Sequence, residues 1–364
     1  MNPVQQKISC VYIVGVTDES SEKRKHQTYK VTATRCLHPK TEDDDIASAI
    51  ATEKLDGTCC LIKLFEGQPW LWARHDRKPS KAGERKFAQH KKNLKDKEVS
   101  KFSWNPEKDF KEVPANWIPA SRLEVVDGVV MPDKLGHTPG WVPVELTSRQ
   151  HCWHLSAVNM EEGMALVLRE SQDHTGELVL KSEPLSDLIG QTCELVGSNI
   201  NGNPYGLGTK KHPIHFLVPH GCLPVDCPPP HDQDALVTWL RGDDDDDDDD
   251  GDDDDDDDGD GESGGSAVEG IVWHCPNGEL YKVHRHHLAL TWPVSEPRLS
   301  RRPVRVKVEL TGSKAVCETR SDRDGGTQHS DLFTALHSLN GQVFDSLRHL
   351  HKNLFPEIVK VEDR

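Results

Sequence analysis

The sequence predicts an α+β fold in which strands predominate over helices. Short segments of alternating apolar and polar residues, separated by Pro and Gly turns, recur between residues 11 and 292, and this period of two is typical of half-buried strands. A spacing of three or four residues between apolar positions follows at 332–354 and predicts a helical segment. With 364 residues, the chain is long enough for two domains or one enlarged domain.

The N-terminal part of the chain, residues 1–50, contains two predicted strands. Residues 11–16 and residues 29–36 each show strand-like patterning, and a polar loop connects them. A further strand is predicted at residues 59–64, a continuous apolar run that follows a polar turn. We expect the N-terminal strands to belong to the same domain as residues 51–294.

A β-hairpin is predicted within residues 268–292, because Asn277-Gly278 is a strong signal for a two-residue turn. With such a loop, Trp273 lies opposite Lys282 and Ile271 lies opposite His284. The period of two then places five side chains on one face of the hairpin: Glu269, Ile271, Trp273, Lys282 and His284. A carboxylate and an ammonium group are thus expected to line the same surface.

The C-terminal segment, residues 295–364, is predicted to be a basic and helical appendix. Its basic residues are clustered at the start of the segment: Arg298, Arg301, Arg302, Arg305 and Lys307. Its helical pattern consists of seven apolar residues: Leu332, Leu336, Leu339, Val343, Leu347, Leu350 and Leu354. We expect this stripe to pack against the main domain rather than against a partner, with a bend at Gly341.

The net charge of −17 comes from a local insertion. The chain has 61 Asp and Glu against 44 Lys and Arg, and 16 of these acidic residues form an almost continuous aspartate run at residues 243–260. Like charges repel and offer nothing to bury, so residues 242–266 are predicted to be a disordered, solvated loop. The rest of the chain is near neutral, and the acidity does not exclude a polyanionic partner.

Several classes of protein are excluded by the sequence pattern. No apolar run approaches the roughly 18 residues of a transmembrane helix, and residues 1–11 do not resemble a secretory signal. The ten cysteines include no Cys-x-x-Cys pair, so neither a zinc site nor a disulfide framework is predicted. We expect free thiols in a monomeric, intracellular protein of the cytosol or nucleus that does not bind membranes.

Lys54 is the most informative residue, within the sequence Glu53-Lys54-Leu55-Asp56-Gly57. A lysine just before an apolar strand, near a glycine that permits a tight turn, can be held at the edge of a cleft. Desolvation or a nearby metal ion would then help its ammonium group to lose a proton and become a nucleophile. By itself the pattern Lys-x-Asp-Gly is weak, because a surface turn has the same sequence.

Two later strands each carry one carboxylate among apolar residues, Glu194 in the first and Glu269 in the second. In this order, the segments resemble the covalent nucleotidyltransferases, the superfamily of ATP-dependent RNA and DNA ligases and mRNA capping enzymes. Lys54-Leu55-Asp56-Gly57 is similar to their nucleophile motif, Glu194-Leu195-Val196-Gly197 to their third and Glu269-Gly270-Ile271-Val272 to their fourth motif. Lys282 with His284 is similar to their fifth.

A closer resemblance is to the vertebrate 5′-to-3′ RNA ligases. It is carried by longer segments in the same order: Glu-Lys-x-Asp-Gly-Thr-Cys-Cys at 53–60, Asn-Ile-Asn-Gly-Asn-Pro-Tyr-Gly-Leu-Gly at 199–208, Lys-Lys-His-Pro-Ile-His at 210–215, Glu-Gly-Ile-Val-Trp-His-Cys at 269–275 and Lys-Val-His-Arg-His-His-Leu at 282–288. The poly-Asp insertion departs from the pattern of these ligases.

The resemblance implies a fold, an activity and cofactors. The fold would be an adenylation domain, residues 51–294 with the strands of 1–50, built from two twisted, mainly antiparallel sheets with flanking helices and the nucleotide between them. The activity would be the joining of RNA ends that bear a 5′-phosphate and a 3′-hydroxyl. ATP and Mg²⁺, or Mn²⁺ in its place, would serve a reaction that passes through lysyl-AMP and an adenylylated RNA 5′ end.

The resemblance also implies roles for four residues that would contact the nucleotide. Lys54 would be the nucleophile, and Glu53 would contact the adenine edge. Arg74 has the place of an arginine that RNA ligases use near ribose or phosphate, on a strand that returns from the nucleophile. Glu194 would bind the ribose hydroxyl or assist the metal.

Metal and phosphate contacts are implied for the remaining residues. Glu269 and Asp56 would hold Mg²⁺, directly or through its waters, and Lys282 would contact the α-phosphate. His284 stands where phage-type RNA ligases often have a second lysine, so a neutral imidazole would replace a positive charge.

Two other functions remain open at this stage. A DNA ligase or a capping enzyme would share the first step, but its resemblance implies an additional OB-fold after the fifth motif, for which the 72 residues after Trp292 are short. A catalytically silent RNA-binding protein on the same fold is the second alternative, and it would have lost the nucleophile or a carboxylate. For the basic segment 63–111, a solvated face is as good an explanation as a patch that contacts RNA phosphates.

Overall fold

The computed structural model describes residues 3–17, 19, 30–93, 102–133, 136–225, 227–242, 267–310 and 328–354. Apart from Gly242, the predicted acidic loop therefore lies outside the described residues. The α-helices are α1 Lys40–Asp43, α2 Lys81–Asn93, α3 Cys152–Ser156, α4 Gln233–Arg241, α5 Arg298–Arg301, α6 Gln328–Ser338 and α7 Leu347–Leu354. Short 3₁₀ helices span Ile46–Ser48, Arg149–His151, Leu185–Leu188 and Arg285–Leu288.

Strands form most of the described structure, as the sequence predicts. They are β1 Ser9–Cys10, β2 Tyr12–Thr17, β3 Lys30–Leu37, β4 Ile50–Lys54, β5 Thr58–Phe65, β6 Gln68–Arg74, β7 Ile118–Pro119, β8 Val125–Val126, β9 Val129–Val130, β10 Gly140–Pro143, β11 Val158–Asn159, β12 Met164–Glu170, β13 Leu178–Pro184, β14 Thr192–Gly197, β15 His215–Pro219, β16 Gly270–His274, β17 Leu280–His284, β18 Val304–Lys307 and β19 Val343–Phe344.

Two principal sheets organise these strands, and most of their pairs are antiparallel. The small sheet has the order β1-β17-β16-β4, and the large sheet has the order β19-β18-β13-β12-β15-β14-β5-β6-β10-β7, with β11 beside β12. The chain crosses from the small sheet to the large one between Lys54 and Thr58, where β4 ends and β5 begins. The predicted α+β class is confirmed, and the predicted N-terminal strand pair is present as β2 and β3.

The predicted register of the β16–β17 hairpin is wrong by one residue. The loop has three residues, because the Cys275 N–H donates to the Glu279 carbonyl and Gly278 adopts a φ of +88°, as in a turn followed by a bulge. Val272 therefore lies opposite Lys282, and Gly270 lies opposite His284. Trp273 and Ile271 belong to the other face, which packs into an apolar core.

The predicted C-terminal appendix is part of the main body as far as it is described. Strand β18 pairs in parallel with β13 of the large sheet, and its side chains share one core with helices α6 and α7. The predicted helical stripe is interrupted, since residues 339–346 contain Gly341 at a φ of +85° and the short strand β19. The leucines still form one buried stripe because both helices cover the same face of the sheet.

Two further sequence expectations concern membranes and thiols. Among the described residues, no helix is both long and apolar enough to cross a lipid bilayer. The nine cysteines in the described part of the chain are free thiols. Cys60 and Cys193 are fully buried among the apolar side chains of one core of the large sheet.

Replacement of Leu336 by alanine tests whether the C-terminal segment shares the main core. Leu336 is fully buried in α6, so we expect Leu336→Ala to lower the free energy of unfolding of the whole chain by about 2–5 kcal/mol. The exposed Leu146 provides a matched control, since Leu146→Ala should change the free energy of unfolding by less than about 0.5 kcal/mol. Urea unfolding followed by tryptophan fluorescence measures both, and a separate transition confined to the C-terminal segment would contradict the shared core.

Candidate active site

A cavity of about 270 Å³ lies between the small and large sheets, at the lower end of the size range of small-molecule sites, ~300–1,000 Å³. The small sheet contributes side chains of β4, β16 and β17, and the large sheet contributes side chains of β5, β6, β14 and β15. The N-terminal segment that precedes β1 closes one side. Five predicted site residues border the cavity: Glu53, Lys54, Arg74, Glu194 and Lys282.

Lys54 is the last residue of β4, and its ammonium group forms an ion pair with Glu269. The Nζ–Oε2 distance is 2.5 Å, and the side chains are 19% and 2% exposed. Nζ also donates to the Leu55 carbonyl at 3.2 Å. Burial acts to lower the pKa of Lys54, but the carboxylates of Glu269 and Glu194 outweigh it and raise the pKa above its ordinary value. Desolvation alone therefore does not release the proton, contrary to our sequence-based expectation.

The turn after Lys54 is held by hydrogen bonds to the segment 201–205. Asn201 Nδ2 donates to Asp56 Oδ1 at 2.9 Å and to the Gly57 carbonyl at 2.7 Å. The Tyr205 hydroxyl accepts from the Asp56 N–H at 2.8 Å, and Trp292 Nε1 donates to Asp56 Oδ2 at 2.9 Å. Both oxygens of the Asp56 carboxylate therefore accept bonds that fix the turn, and the predicted metal role of Asp56 stays a prediction.

Glu194 extends from β14 towards the same turn. Its Oε1 accepts from the Gly57 N–H at 3.1 Å, and its Oε2 lies 3.0 Å from His220 Nε2. Strand β14 pairs directly with β5, so that Glu194 is opposite Cys59. The pairing of these two strands thus places a carboxylate within the electrostatic range of Lys54.

Lys282 shares one face of the small sheet with Lys54. Its cross-strand neighbours are Val272 and then Thr52, whereas Lys54 is two residues further along β4, where it pairs with Gly270. Burial, followed by the positive charge of Lys54, lowers the pKa of Lys282 to about 8. The prediction that Lys282 lines the functional surface agrees with this position, although the predicted neighbours Trp273 and Ile271 do not lie there.

Arg74 ends β6 at the opposite wall of the cavity. Its Nε donates to Asp76 Oδ1 at 2.6 Å, and its NH1 donates to the Gln5 carbonyl at 2.9 Å. The guanidinium group stacks over the ring of Trp141, 4.9 Å from the centroid. These three contacts fix the guanidinium plane beside the cavity and leave its position independent of the Lys54 turn.

The Glu53 carboxylate does not point into the cavity. It is fully buried, with Oε2 3.5 Å from Arg298 NH1, because successive residues of β4 face opposite sides and Lys54 takes the cavity side. Burial raises the pKa of Glu53 to about 7, although the guanidinium groups of Arg298 and Arg302 act to lower it. A contact between the Glu53 side chain and a ligand in the cavity is therefore not supported by the structure.

The remaining predicted residues lie just outside the cavity. Glu269 directly precedes β16, and its carboxylate contacts the Lys54 ammonium group beyond the end of that strand. His284 follows Lys282 on the same face, but its ring packs against His287 with centroids 3.6 Å apart. The sequence thus identifies five residues that border the cavity and Glu269 beside it. The carboxylate of Glu53 is paired with Arg298, and Asp56 and His284 lie outside the cavity lining.

Three cavity residues were missed by the sequence analysis. Thr52 Oγ1 and His274 Nε2 are 3.0 Å apart on the face that carries Lys54, and burial lowers the pKa of His274 to about 4, so that the ring is neutral. The correct hairpin register would have placed His274 on this face, and the period of two along β4 places Thr52 there with Lys54. His220 follows β15, and no pattern in the sequence connects it with Glu194.

Comparison with known proteins shows which family this chain belongs to. A family model described as RNA ligase 1 matches residues 1–249 and 260–353. The chain is 45% identical to an RNA ligase 1 of Rattus norvegicus over 349 residues, which cover 96% of this chain and 97% of the rat protein. It is 44% identical to an RNA ligase 1 of Danio rerio over 348 residues, with 96% and 97% covered. For an RNA ligase 1 of Pongo abelii, the identity is 47% over 311 residues, with 85% and 89% covered.

Gly57 is a test of the close packing of the turn against β14. A Cβ atom at Gly57 would lie 2.7 Å from Glu194 Cγ and would also meet the Leu195 carbonyl, so Gly57→Ala should displace the turn and lower the free energy of unfolding by about 1–3 kcal/mol. Gly15 has no neighbour within 4 Å of such an atom, and Gly15→Ala should be nearly neutral. Equal losses in thermal unfolding of the two variants would contradict the packing argument.

The lowered pKa of Lys282 predicts a pH-dependent stability. Below about pH 8 the buried lysine is charged in the folded state, and between about 8 and about 10 it is neutral only when folded. The folded state then binds fewer protons, so the stability contributed by Lys282 rises with pH. We expect the free energy of unfolding of Lys282→Met to exceed that of the unsubstituted chain at low pH. This difference should shrink across this range, by at most about 1.4 kcal/mol per pH unit. Urea unfolding at several pH values measures this difference, and a difference that does not change with pH would contradict the burial of a charge.

Proposed function

Because this chain belongs to the RNA ligase 1 family, we propose that it is an ATP-dependent RNA ligase that joins a 5′-phosphate to a 3′-hydroxyl. The observation that carries this proposal is the position of Lys54 in the cavity. A buried primary amine lies between two carboxylates, and two further cations, Arg74 and Lys282, line the same cavity. An amine among cations and carboxylates suits covalent transfer of a nucleotide monophosphate.

In the first step, Lys54 Nζ attacks the α-phosphorus of ATP. A P–N bond forms, the P–O bond to pyrophosphate breaks, and the product is lysyl-AMP. Nζ must first lose a proton, and Glu269 Oε2 is placed to accept it, since the two atoms already share a short contact of 2.5 Å. Lys282 favours this loss, because a second positive charge nearby makes the charged form of Lys54 less stable.

In the second step, an oxygen of the RNA 5′-phosphate attacks the phosphorus of lysyl-AMP. The P–N bond breaks, Nζ recovers a proton, and an adenylylated RNA 5′ end forms. In the third step, the 3′-hydroxyl attacks the 5′-phosphate of that RNA, loses its proton and displaces AMP. Every step is a displacement at phosphorus, so the protein contributes position and charge rather than a new functional group.

The cations and Glu194 would orient the nucleotide. Lys282 and Arg74 lie on different walls of the cavity and would contact the phosphates from two sides. Glu194 would accept from a ribose hydroxyl, since its carboxylate is already fixed by Gly57 and His220. The adenine contact implied for Glu53 would have to come from main-chain atoms, because its carboxylate is turned away.

The residues around Lys54 fit an Mg²⁺ ion through Glu269 and Glu194. Both offer carboxylate oxygens, the donors that Mg²⁺ and Mn²⁺ prefer, and a carboxylate has two oxygens, so Glu269 can both hold an ion and accept a proton. When bound, the ion supplies neutralisation of phosphate charge. Asp56 would fix the turn, and its carboxylate is the further oxygen donor that the resemblance implies for the ion.

The structure also bears on the alternative functions. The described residues after β17 continue the large sheet and its core and do not form a separate barrel, which favours an RNA ligase over a DNA ligase or capping enzyme. A silent RNA-binding protein would not need Lys54 and Glu269 to be paired inside a cavity. We therefore retain the ligase as the proposed function.

A single substitution separates the steps. Lys54→Ala should abolish the addition of AMP to the protein in ATP and Mg²⁺, as measured by intact mass, because no nucleophile remains. The same variant should still join an RNA whose 5′ end is already adenylylated, since the third step does not use Nζ. Lys63 is an exposed lysine of the adjacent strand β5, and Lys63→Ala should retain all three steps.

The outcomes distinguish the alternatives. Absence of an AMP adduct on the unsubstituted chain would exclude the proposed mechanism, and a GMP adduct with GTP in its place would favour a capping-type enzyme. If the adduct forms, nicked RNA, single-stranded RNA and nicked DNA are compared as substrates. Sealing of nicked DNA alone would overturn the assignment to RNA.

A further inference from the structure

Three side chains with different metal-binding groups meet on the wall of the cavity: Cys59, Glu194 and His220. Each offers one ligand atom, and the three atoms lie within 4.8 Å of one another. They come from neighbouring strands of the large sheet, since Cys59 on β5 lies opposite Glu194 on β14 and His220 directly follows β15. The sequence analysis expected no zinc site because the chain has no Cys-x-x-Cys pair, and these three positions are 135 and 26 residues apart along the chain.

The orientation of His220 is that of a metal ligand. His220 Nδ1 lies 2.9 Å from Thr192 Oγ1, and that hydroxyl already accepts from the Val4 N–H at 2.7 Å. In the metal-free chain, a proton on Nε2 can bridge His220 and Glu194 Oε2, 3.0 Å apart, while Nδ1 accepts from the Thr192 hydroxyl. With the proton on Nδ1 instead, the ring donates to Thr192 and its Nε2 lone pair faces Glu194, so a cation can replace the bridging proton. A hydrogen-bonded second nitrogen is typical of histidine ligands.

The set of donors selects the kind of cation. A thiolate and an imidazole favour Zn²⁺ over Mg²⁺, which prefers oxygen ligands. Three protein ligands also leave the fourth position of a tetrahedral ion open. All three residues border the cavity, so this open position faces the space in which a nucleotide would lie.

We propose that Cys59, Glu194 and His220 form a Zn²⁺ site that inhibits the enzyme. The inhibitory effect rests on the proposed function, in which Glu194 binds the ribose of ATP. An ion that holds Glu194 removes this acceptor and occupies the wall of the nucleotide cavity. Zn²⁺ and ATP are then competitors for one site.

Proton balance gives the site a further property. Burial, reinforced by the charge of Glu194, raises the pKa of the Cys59 thiol well above its ordinary value, so the metal-free site holds a protonated thiol. Coordination forms a Zn–S bond and releases that proton to solvent. Binding of one Zn²⁺ ion therefore adds two positive charges to the site and releases at least one proton from it.

Cobalt is the probe that reports ligation by sulfur without any activity measurement. The full chain, freed of metal, should develop the near-ultraviolet charge-transfer band of a Co²⁺–thiolate bond on titration with one equivalent of Co²⁺, and Zn²⁺ should displace it. Cys59→Ser should abolish the band, and His220→Asn should weaken Co²⁺ binding by at least about 10–100-fold, by analogy with losses at metal sites. Cys60→Ala is the matched control, because Cys60 is the next residue on β5 but faces the apolar core.

Each result of this titration is decisive. Loss of the band in Cys59→Ser with retention in Cys60→Ala supports the site, whereas no band in the unsubstituted chain, or a band that persists in Cys59→Ser, overturns it. Circular dichroism of each variant shows whether it is folded. If Cys59→Ser does not fold, Cys59→Ala replaces it, and it must abolish the band.

Inhibition is tested separately through AMP addition to the protein. Zn²⁺ should slow it in the unsubstituted chain, and raising ATP should reverse the effect. The Zn²⁺ concentration for half-inhibition, taken relative to each variant's own uninhibited rate, should rise at least tenfold in His220→Asn and remain unchanged in Cys60→Ala. If the cobalt band forms but no AMP is added to the protein, even without Zn²⁺, the metal site is supported and the proposed function is contradicted. If AMP addition is normal and Zn²⁺ does not slow it, the inhibitory role is contradicted.

Discussion

The ion pair between Lys54 and Glu269 is the contact on which the cavity depends. An ammonium group that is largely removed from water needs a carboxylate at short range, and removal of one partner from such a pair costs about 3–5 kcal/mol. The pair joins the end of β4 to the segment that precedes β16, so it holds together the edge of the small sheet at the place where the chain crosses to the large one. An amine in this position is preorganised, and the carboxylates beside it raise its pKa.

The turn that follows Lys54 is fixed by distant parts of the chain. Asn201, Tyr205 and Trp292 all bond to Asp56 or Gly57, and Trp292 belongs to the segment after the hairpin. Behind β4, Glu53 is paired with Arg298 of α5. The C-terminal residues therefore support Lys54 from the side away from the cavity, and they are also built into the core of the large sheet.

Much of the fold and part of the site follow from local patterns. Strand patterning predicts β2, β3, β16 and β17, and a continuous apolar run predicts β5. The order of the motifs identifies Lys54, Glu194, Glu269 and Lys282 as candidate site residues. The hairpin register was wrong because Asn-Gly permits both a two-residue loop and a three-residue loop, and only packing of Trp273 into the core selects between them. Likewise, the roles of Glu53 and Asp56 depend on which side of a strand or turn each carboxylate faces.

By itself, the sequence determined which residues are candidates for the chemistry and in what order they occur, because two lysines and two carboxylates lie within short segments of recognisable character. The tertiary structure alone decided their protonation and their partners. Whether Lys54 is charged depends on Glu269, which is 215 residues away, and the meeting of Cys59, Glu194 and His220 depends on the pairing of β5, β14 and β15. Electrostatic interaction and metal ligation act over a few ångströms in space, and separation along the chain does not encode that distance.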